Sequence, residues 1–180
     1  MQAAFSILLD PPLYNYVRNL QTKIYELFSA KDTLKLEPHF TLKYKFETNG
    51  LKGVEDYFDE LLERTESFEV HLNGINTFED GDKVIFLNVE KSETLTNLHL
   101  KVLGDLSQKF QVMPGEFEGK DLHFHITLAY KDISDETFQQ ILEYLKDEKP
   151  TFRFMAKRLA LYLLPDSNIN WFIYKIGSFA

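Results

Sequence analysis

Two short phrases in this chain carry matching sets of reactive side chains. One reads His39-Phe40-Thr41-Leu42-Lys43-Tyr44-Lys45 and the other His125-Ile126-Thr127-Leu128-Ala129-Tyr130-Lys131. His, Thr, Leu, Tyr and Lys recur in register, 86 positions apart (125 − 39). An imidazole titrates near pH ~6.5, so one of two can be neutral while the other is charged, as paired acid–base work requires. A hydroxyl two residues after each His can donate a hydrogen bond to an anion. Two such strands facing each other across a cleft make a metal-free acid–base site.

Both phrases alternate polar and apolar residues, the period of a half-buried strand. The spacing predicts Phe40, Leu42, Tyr44 and Phe46 on the core side, with His39, Thr41, Lys43 and Lys45 opposite. In the second copy Phe124, Ile126, Leu128 and Tyr130 take the apolar side, leaving His125, Thr127 and Lys131 on the other. A strand duplicated for folding alone would keep the apolar alternation rather than the polar pair. Lys43, Lys45 and Lys131 could add positive potential at the groove edge, although strand lysines are more often simply solvated. His123 shares the face of His125 and reads as a groove-mouth residue. A His-x-His strand can bind metal, but no third or fourth ligand is evident. His71 and His99 read as solvent-facing or structural. Phe5, Trp171 and Phe117 could stack on a base. Core packing is the expectation for Phe5 and Trp171, and mobility for Phe117, which lies in a Gly-rich charged loop.

The elements that would position these residues repeat as well. Residues 3–9 read as a strand, 13–29 as an amphipathic helix, 37–46 as the first His-x-Thr strand, 52–65 as a helix and 67–78 as a strand. The second half replays the order with a strand at 83–90, a helix at 93–110, a loop at 111–121, the second His-x-Thr strand, a helix at 135–147 and a strand at 151–164. A last strand, 169–177, follows the turn signal Pro165-Asp166-Ser167-Asn168. The expected fold is α+β and bilobal, with pseudo-two-fold strand-helix-strand-helix-strand units, helices on the outer faces and a central groove. Residues 1–180 read as one two-lobed domain, lobe one about 1–80 and lobe two about 81–180, with strands free to exchange between lobes.

Composition narrows the function classes. The formal net charge of −8 argues against gripping a long nucleic acid duplex, though not against a nucleotide or an RNA end in a local pocket. With no Cys, disulfides, thiolate zinc sites and Cys nucleophiles are excluded. The opening MQAAFSILLD lacks a basic segment and does not read as a signal peptide. No apolar run approaches the ~20 residues that span a bilayer, so a cytoplasmic monomer with no membrane partner is expected.

The paired His-x-Thr-Leu motifs resemble the signature of the two-histidine phosphoesterase superfamily, the RNA 2′,5′-ligase-like group. The similarity runs from the opening strand into Asp10-Pro11-Pro12 through to a closing hairpin of Leu159–Leu164 and Trp171–Ile176. It implies His39 and His125 as catalytic residues and Thr41 and Thr127 as phosphate binders. It also implies hydrolysis or formation of phosphodiesters at ribose, typically a 2′,3′-cyclic phosphate or a 2′,5′ linkage. In-line opening of a cyclic phosphate needs a base on the incoming water and an acid on the departing ribose oxygen, on opposite sides of phosphorus. The resemblance leans toward His125 as the base and His39 as the acid. A five-membered cyclic ester is already reactive, so no metal or cofactor is expected. The favoured reading is a metal-independent hydrolase of small nucleotides or RNA ends. RNA 2′,5′-ligation, or a non-catalytic nucleotide-binding module on the same fold, are the alternatives.

Overall fold

The architecture follows from which apolar runs are buried on one face and which on two. A computed structural model describes residues 1–79, 81–167 and 170–180. Its elements run β1 Gln2–Leu8, α1 Leu13–Phe28, a 3-10 turn Asp32–Lys35, β2 His39–Glu47, α2 Leu51–Glu63 and β3 Phe68–Phe78. They continue as β4 Val84–Val89, α3 Glu93–Phe110, β5 His125–Tyr130, α4 Asp135–Leu145, β6 Thr151–Ala156, β7 Arg158–Leu164 and β8 Phe172–Ser178. The chain is therefore α+β. Two antiparallel four-stranded sheets have the orders β2-β1-β7-β8 and β5-β4-β3-β6. Each motif strand lies at a sheet edge and pairs with the opening strand of its own half.

The single strand expected at 151–164 is two strands, in different sheets. Residues 151–156 alternate in burial, as suits an edge strand, whereas Leu159–Leu163 are all buried because β7 sits between β1 and β8. A strand buried on both faces reads as a continuous apolar run and masks a break beside it. β3 lies in the second sheet, while β7 and β8 lie in the first.

The helices change partners in the same way. α1, from the first half, packs on the second sheet. Its Tyr16 ring lies 4.9 Å from that of Phe152, and Phe28 lies 5.8 Å from Tyr144 of α4. α3, from the second half, packs beside α2 on the first sheet, with Tyr57 and Phe110 rings 6.2 Å apart. Each helix supplies an apolar stripe, Leu13, Val17, Leu20 and Ile24 on α1 and Leu95, Leu98, Val102 and Leu106 on α3. Ser92 caps α3 and Ser134 caps α4, each accepting a backbone N–H at 3.1 Å. One hydrophobic core joins both sheets, and Phe40 beside His39 meets Phe124 beside His125 at 6.2 Å. Among the described residues no helix is long and apolar enough to cross a membrane.

Candidate active site on two bulged edge strands

Strand register places the reactive groups. Leu8 pairs with His39 and Ser6 with Thr41, so His39 and Thr41 share the face turned away from the main core. In the second sheet Asn88 pairs with His125 and Phe86 with Thr127. Both motif strands then carry a bulge at the same position. The β1–β2 register steps from Thr41 to Lys43, skipping Leu42, and the β4–β5 register steps from Thr127 to Ala129, skipping Leu128. The 86-residue repeat thus includes a backbone irregularity that re-aims the chain directly after each Thr.

The bulge overturns the expectation that Lys43 shares the polar face. At Lys43 and Tyr44 the alternation inverts, with Lys43 pointing inward at 1% exposure and Tyr44 turned out at 56%, and it is restored at Lys45 and Phe46. The Lys43 Nζ reaches Glu118 Oε2 at 2.5 Å in the loop before β5. Glu118 also accepts N–H bonds from Tyr44 and Gly115, both at 2.7 Å. Lys43 is therefore a tether for that loop and does not stand at the groove edge. Lys45 and Lys131 are exposed, stacked over Tyr44 at 5.7 Å and Tyr130 at 5.1 Å. Phe117 is 80% exposed, next to the anchored Glu118.

Side chains from the opposite half hold both bulges. His99 of α3 donates Nδ1–H to the Leu42 carbonyl at 2.7 Å, and its Nε2 accepts the Gly119 N–H at 3.1 Å. Thr33 donates to the Leu128 carbonyl at 3.3 Å, and Gln21 of α1 to the Thr127 carbonyl at 2.9 Å. The exchanged helices thus position the motif strand of the other half.

The two motif imidazoles are fixed alike. His39 Nδ1 lies 2.6 Å from the Glu37 carbonyl, and His125 Nδ1 lies 2.8 Å from the His123 carbonyl. A carbonyl only accepts, so Nδ1 carries the proton in both rings and Nε2 is left for chemistry. β2 and β5 are in contact, and the charge of His125 acts on His39. Burial lowers both pKa values, partly opposed by the carbonyl bonds. Their surroundings differ. The charge of His125 disfavours the charged form of His39 and the Glu37 carboxylate opposes it, whereas the charge of His123 disfavours that of His125 with no carboxylate opposing.

Aromatic rings flank each imidazole. Phe78 and Phe86 both lie 5.1 Å from His125, and Tyr162 lies 5.3 Å from His39. His123 is exposed, holds Asn88 Oδ1 through Nε2 at 2.8 Å, and borders a surface cavity of about 540 Å³. That Phe86 and Tyr162 flank the imidazoles is not legible in the sequence, because each sits in a strand whose apolar run reads as core. Trp171, expected in the core, is partly exposed against a small separate cluster that includes Tyr162. Among the described residues no group of three or more His, Asp or Glu side chains could hold a metal ion.

Over residues 9–167 the sequence matches the 2'-5' RNA ligase superfamily. The chain belongs to that superfamily. Its sequence is also similar to a candidate phosphoesterase of Oceanobacillus iheyensis, OB1230, at 28% identity over 145 residues, 78% of each chain. In fold it resembles the crystal structure of TT0787 from Thermus thermophilus, with TM-score 0.63 and 16% identity over 99% of this chain and 97% of that one. It likewise resembles E. coli LigT complexed with 3'-AMP, with TM-score 0.61 and 16% identity at the same coverage. The paired motifs of this superfamily member thus sit on matching bulged edges of its two sheets.

Proposed function

We propose that this protein is a metal-independent phosphoesterase that opens 2′,3′-cyclic phosphates of nucleotides or RNA ends. The observation that carries the reading is the matched fixation of His39 and His125. Each ring is locked through Nδ1 to the carbonyl two residues earlier, with a Thr two residues later on the same strand face.

In the reaction, His125 Nε2 accepts a proton from water as the water oxygen bonds to phosphorus. On the opposite side the P–O bond to ribose breaks, and His39 Nε2–H delivers its proton to the departing oxygen. The water proton ends on His125 and the ribose hydroxyl takes the proton of His39, so exchange with solvent restores the starting state. Thr41 and Thr127 donate to the non-bridging oxygens as negative charge builds there. An imidazole charge disfavours the charged form of each ring, but His39 alone has a carboxylate, Glu37, working against it, which suits it to the ring that must begin protonated. Water is present at overwhelming concentration, which favours hydrolysis over ligation.

The test is turnover of a panel of nucleoside 2′,3′-cyclic phosphates and 2′,5′-linked dinucleotides in excess chelator, with His39→Ala and His125→Ala as controls. Hydrolysis by the wild type that both variants lose supports the reading. Binding of nucleotides without turnover would leave only a binding module, and joining of RNA ends would make the protein a ligase.

A further inference from the structure

Each motif imidazole is fixed by a loop carbonyl, and each of the two loops is tied to the opposite motif strand. Residues 29–38 join α1 to β2 and carry Glu37, whose carbonyl holds His39 Nδ1 at 2.6 Å. Residues 111–124 join α3 to β5 and carry His123, whose carbonyl holds His125 Nδ1 at 2.8 Å. The first loop is bonded to the second motif strand and the turn after it. Thr33 donates to the Leu128 carbonyl. Asp132, two residues beyond the end of β5, accepts the backbone N–H groups of Lys31 at 2.7 Å and Asp32 at 3.2 Å on one carboxylate oxygen. The second loop is bonded to the first motif strand in turn. Glu118 takes the Tyr44 N–H and the Lys43 ammonium, while His99 spans from the Gly119 N–H to the Leu42 carbonyl. The spacing matches too, since Asp32 stands five residues before Glu37 and Glu118 five residues before His123 (37 − 32, 123 − 118).

The backbone around Asp132 is shaped for this contact. Lys131, just before it, has a φ of 63°, in the left-handed region that residues other than Gly adopt at a cost and keep only where the surroundings hold them. The resulting turn bonds the Asp132 N–H back to the Tyr130 carbonyl at 2.8 Å and brings the carboxylate to the first loop. From there the chain runs through the 3-10 turn Asp32–Lys35 to Leu36, whose carbonyl Arg18 holds at 2.7 Å. Little slack separates the Asp132 anchor from the Glu37 carbonyl.

In-line transfer gives the crossing its use. Base and acid must stand on opposite sides of one phosphorus, and the two rings belong to different sheets. We propose that Asp132 and Glu118 are crossed positioning residues: Asp132, from the His125 half, aims His39, and Glu118 ties the loop that aims His125 to the His39 strand. Each ring is thereby placed relative to the other motif strand as well as to its own. This rests on the phosphoesterase reading for the work that the two rings perform.

Asp132 is exposed, so Asp132→Ala tests the crossing with little threat to the fold. Asp132 directly follows the His125 strand, so merely local damage would fall on His125, whereas crossed positioning makes it fall on His39. Asp132→Ala should lower kcat on a nucleoside cyclic phosphate by about 10–10²-fold with KM little changed, the scale of a displaced reacting group. Across that ester and a nitrophenyl phosphodiester, its losses should follow the pattern of His39→Ala and not that of His125→Ala. Asp132→Asn keeps an oxygen acceptor and should restore most of the rate. Glu118→Gln, assayed well below its melting temperature, should follow the pattern of His125→Ala. NMR titration of the imidazoles needs no substrate. In Asp132→Ala the His39 pKa should fall and that of His125 should move less, because a loosened Glu37 carbonyl no longer favours the charged ring. An Asp132→Ala protein that follows His125→Ala, or whose His39 titration stays unmoved, would overturn the crossed positioning and leave the phosphoesterase standing. The His39 shift in a protein that hydrolyses neither ester would keep the crossed positioning and overturn the hydrolytic reading.

Discussion

The Lys43 ammonium lies 2.5 Å from the Glu118 carboxylate with both side chains withdrawn from solvent, at 1% and 3% exposure. The pair joins the first motif strand to the loop that leads into the second. Glu118 has two further backbone donors, from Tyr44 and Gly115, whereas this carboxylate is the one charge partner of Lys43 among the described residues. The two single replacements should therefore differ. Glu118→Leu strands a buried ammonium and frees two N–H groups, and it should cost about 3–5 kcal/mol. Lys43→Met leaves a carboxylate that is still hydrogen-bonded and should cost less. The Lys43→Met, Glu118→Leu double variant should recover part of the loss, since an apolar pair avoids burying charge. Urea unfolding midpoints of the three variants decide this. A Glu118→Leu variant within about 1 kcal/mol of wild type would show the tether to be dispensable.

His99 makes stability depend on pH. It donates from Nδ1 to Leu42 and accepts at Nε2 from Gly119, so protonating Nε2 deletes the second bond. Burial lowers its pKa below the usual 6.5, with the Leu42 bond only partly opposing. For a base whose folded pKa is depressed, the unfolded chain binds more protons at mildly acidic pH. Its stabilising contribution is thus complete above about pH 6.5 and is lost as pH falls from there toward the folded pKa. Melting temperature should drop between pH 7 and pH 5, and less steeply in His99→Gln, whose amide can donate and accept without titrating. Parallel slopes for the two proteins would remove His99 from this role.

What the sequence could and could not reveal divides along physical lines. The His-x-Thr repeat, the α+β class and most helices are legible, because side-chain period reports directly on local structure. The inward turn of Lys43 is not, since the bulge at Leu42 is defined only by what pairs opposite it on β1. The exchange of α1 and α3 between sheets is equally hidden, because an apolar stripe says that a helix packs and not against what. Tyr162 lies inside the run Leu159–Leu163, where a side chain that meets an imidazole from one face of a doubly covered strand looks like core. Trp171 departs from expectation for the related reason that a second, smaller cluster exists, with its Tyr162 beside His39.

Glu37 offers a way to assign the two imidazoles. Burial dominates the lowered pKa of His39, and the Glu37 carboxylate works against it by favouring the imidazolium. Glu37→Gln should therefore lower the His39 pKa further. If His39 is the acid, the alkaline limb of kcat/KM against pH moves to lower pH, because the protonated form is lost sooner. If it were the base, the acid limb would move instead. The limbs belong to a coupled pair, so the shift between variants carries the assignment rather than either absolute value. Because both rings are lowered in the free protein, the wild-type kcat/KM optimum should lie on the acid side of 6.5.

Separating acid from base also follows from the leaving group. His39→Ala and His125→Ala should each reduce kcat on a nucleoside cyclic phosphate by about 10²–10⁴, the usual worth of a positioned proton donor or acceptor. Substrate affinity should change far less, since proton transfer develops in the transition state. Thr41→Ala and Thr127→Ala should cost less, each removing one hydrogen bond to phosphate. A nitrophenyl phosphodiester expels an anion that needs no proton, so the acid becomes unnecessary while the base is still required to activate water. On that substrate His39→Ala should recover most of its lost rate relative to wild type, and His125→Ala should stay slow. Recovery by His125→Ala alone would reverse the two roles. Near-wild-type turnover by both variants on every ester would remove the imidazoles from the chemistry altogether.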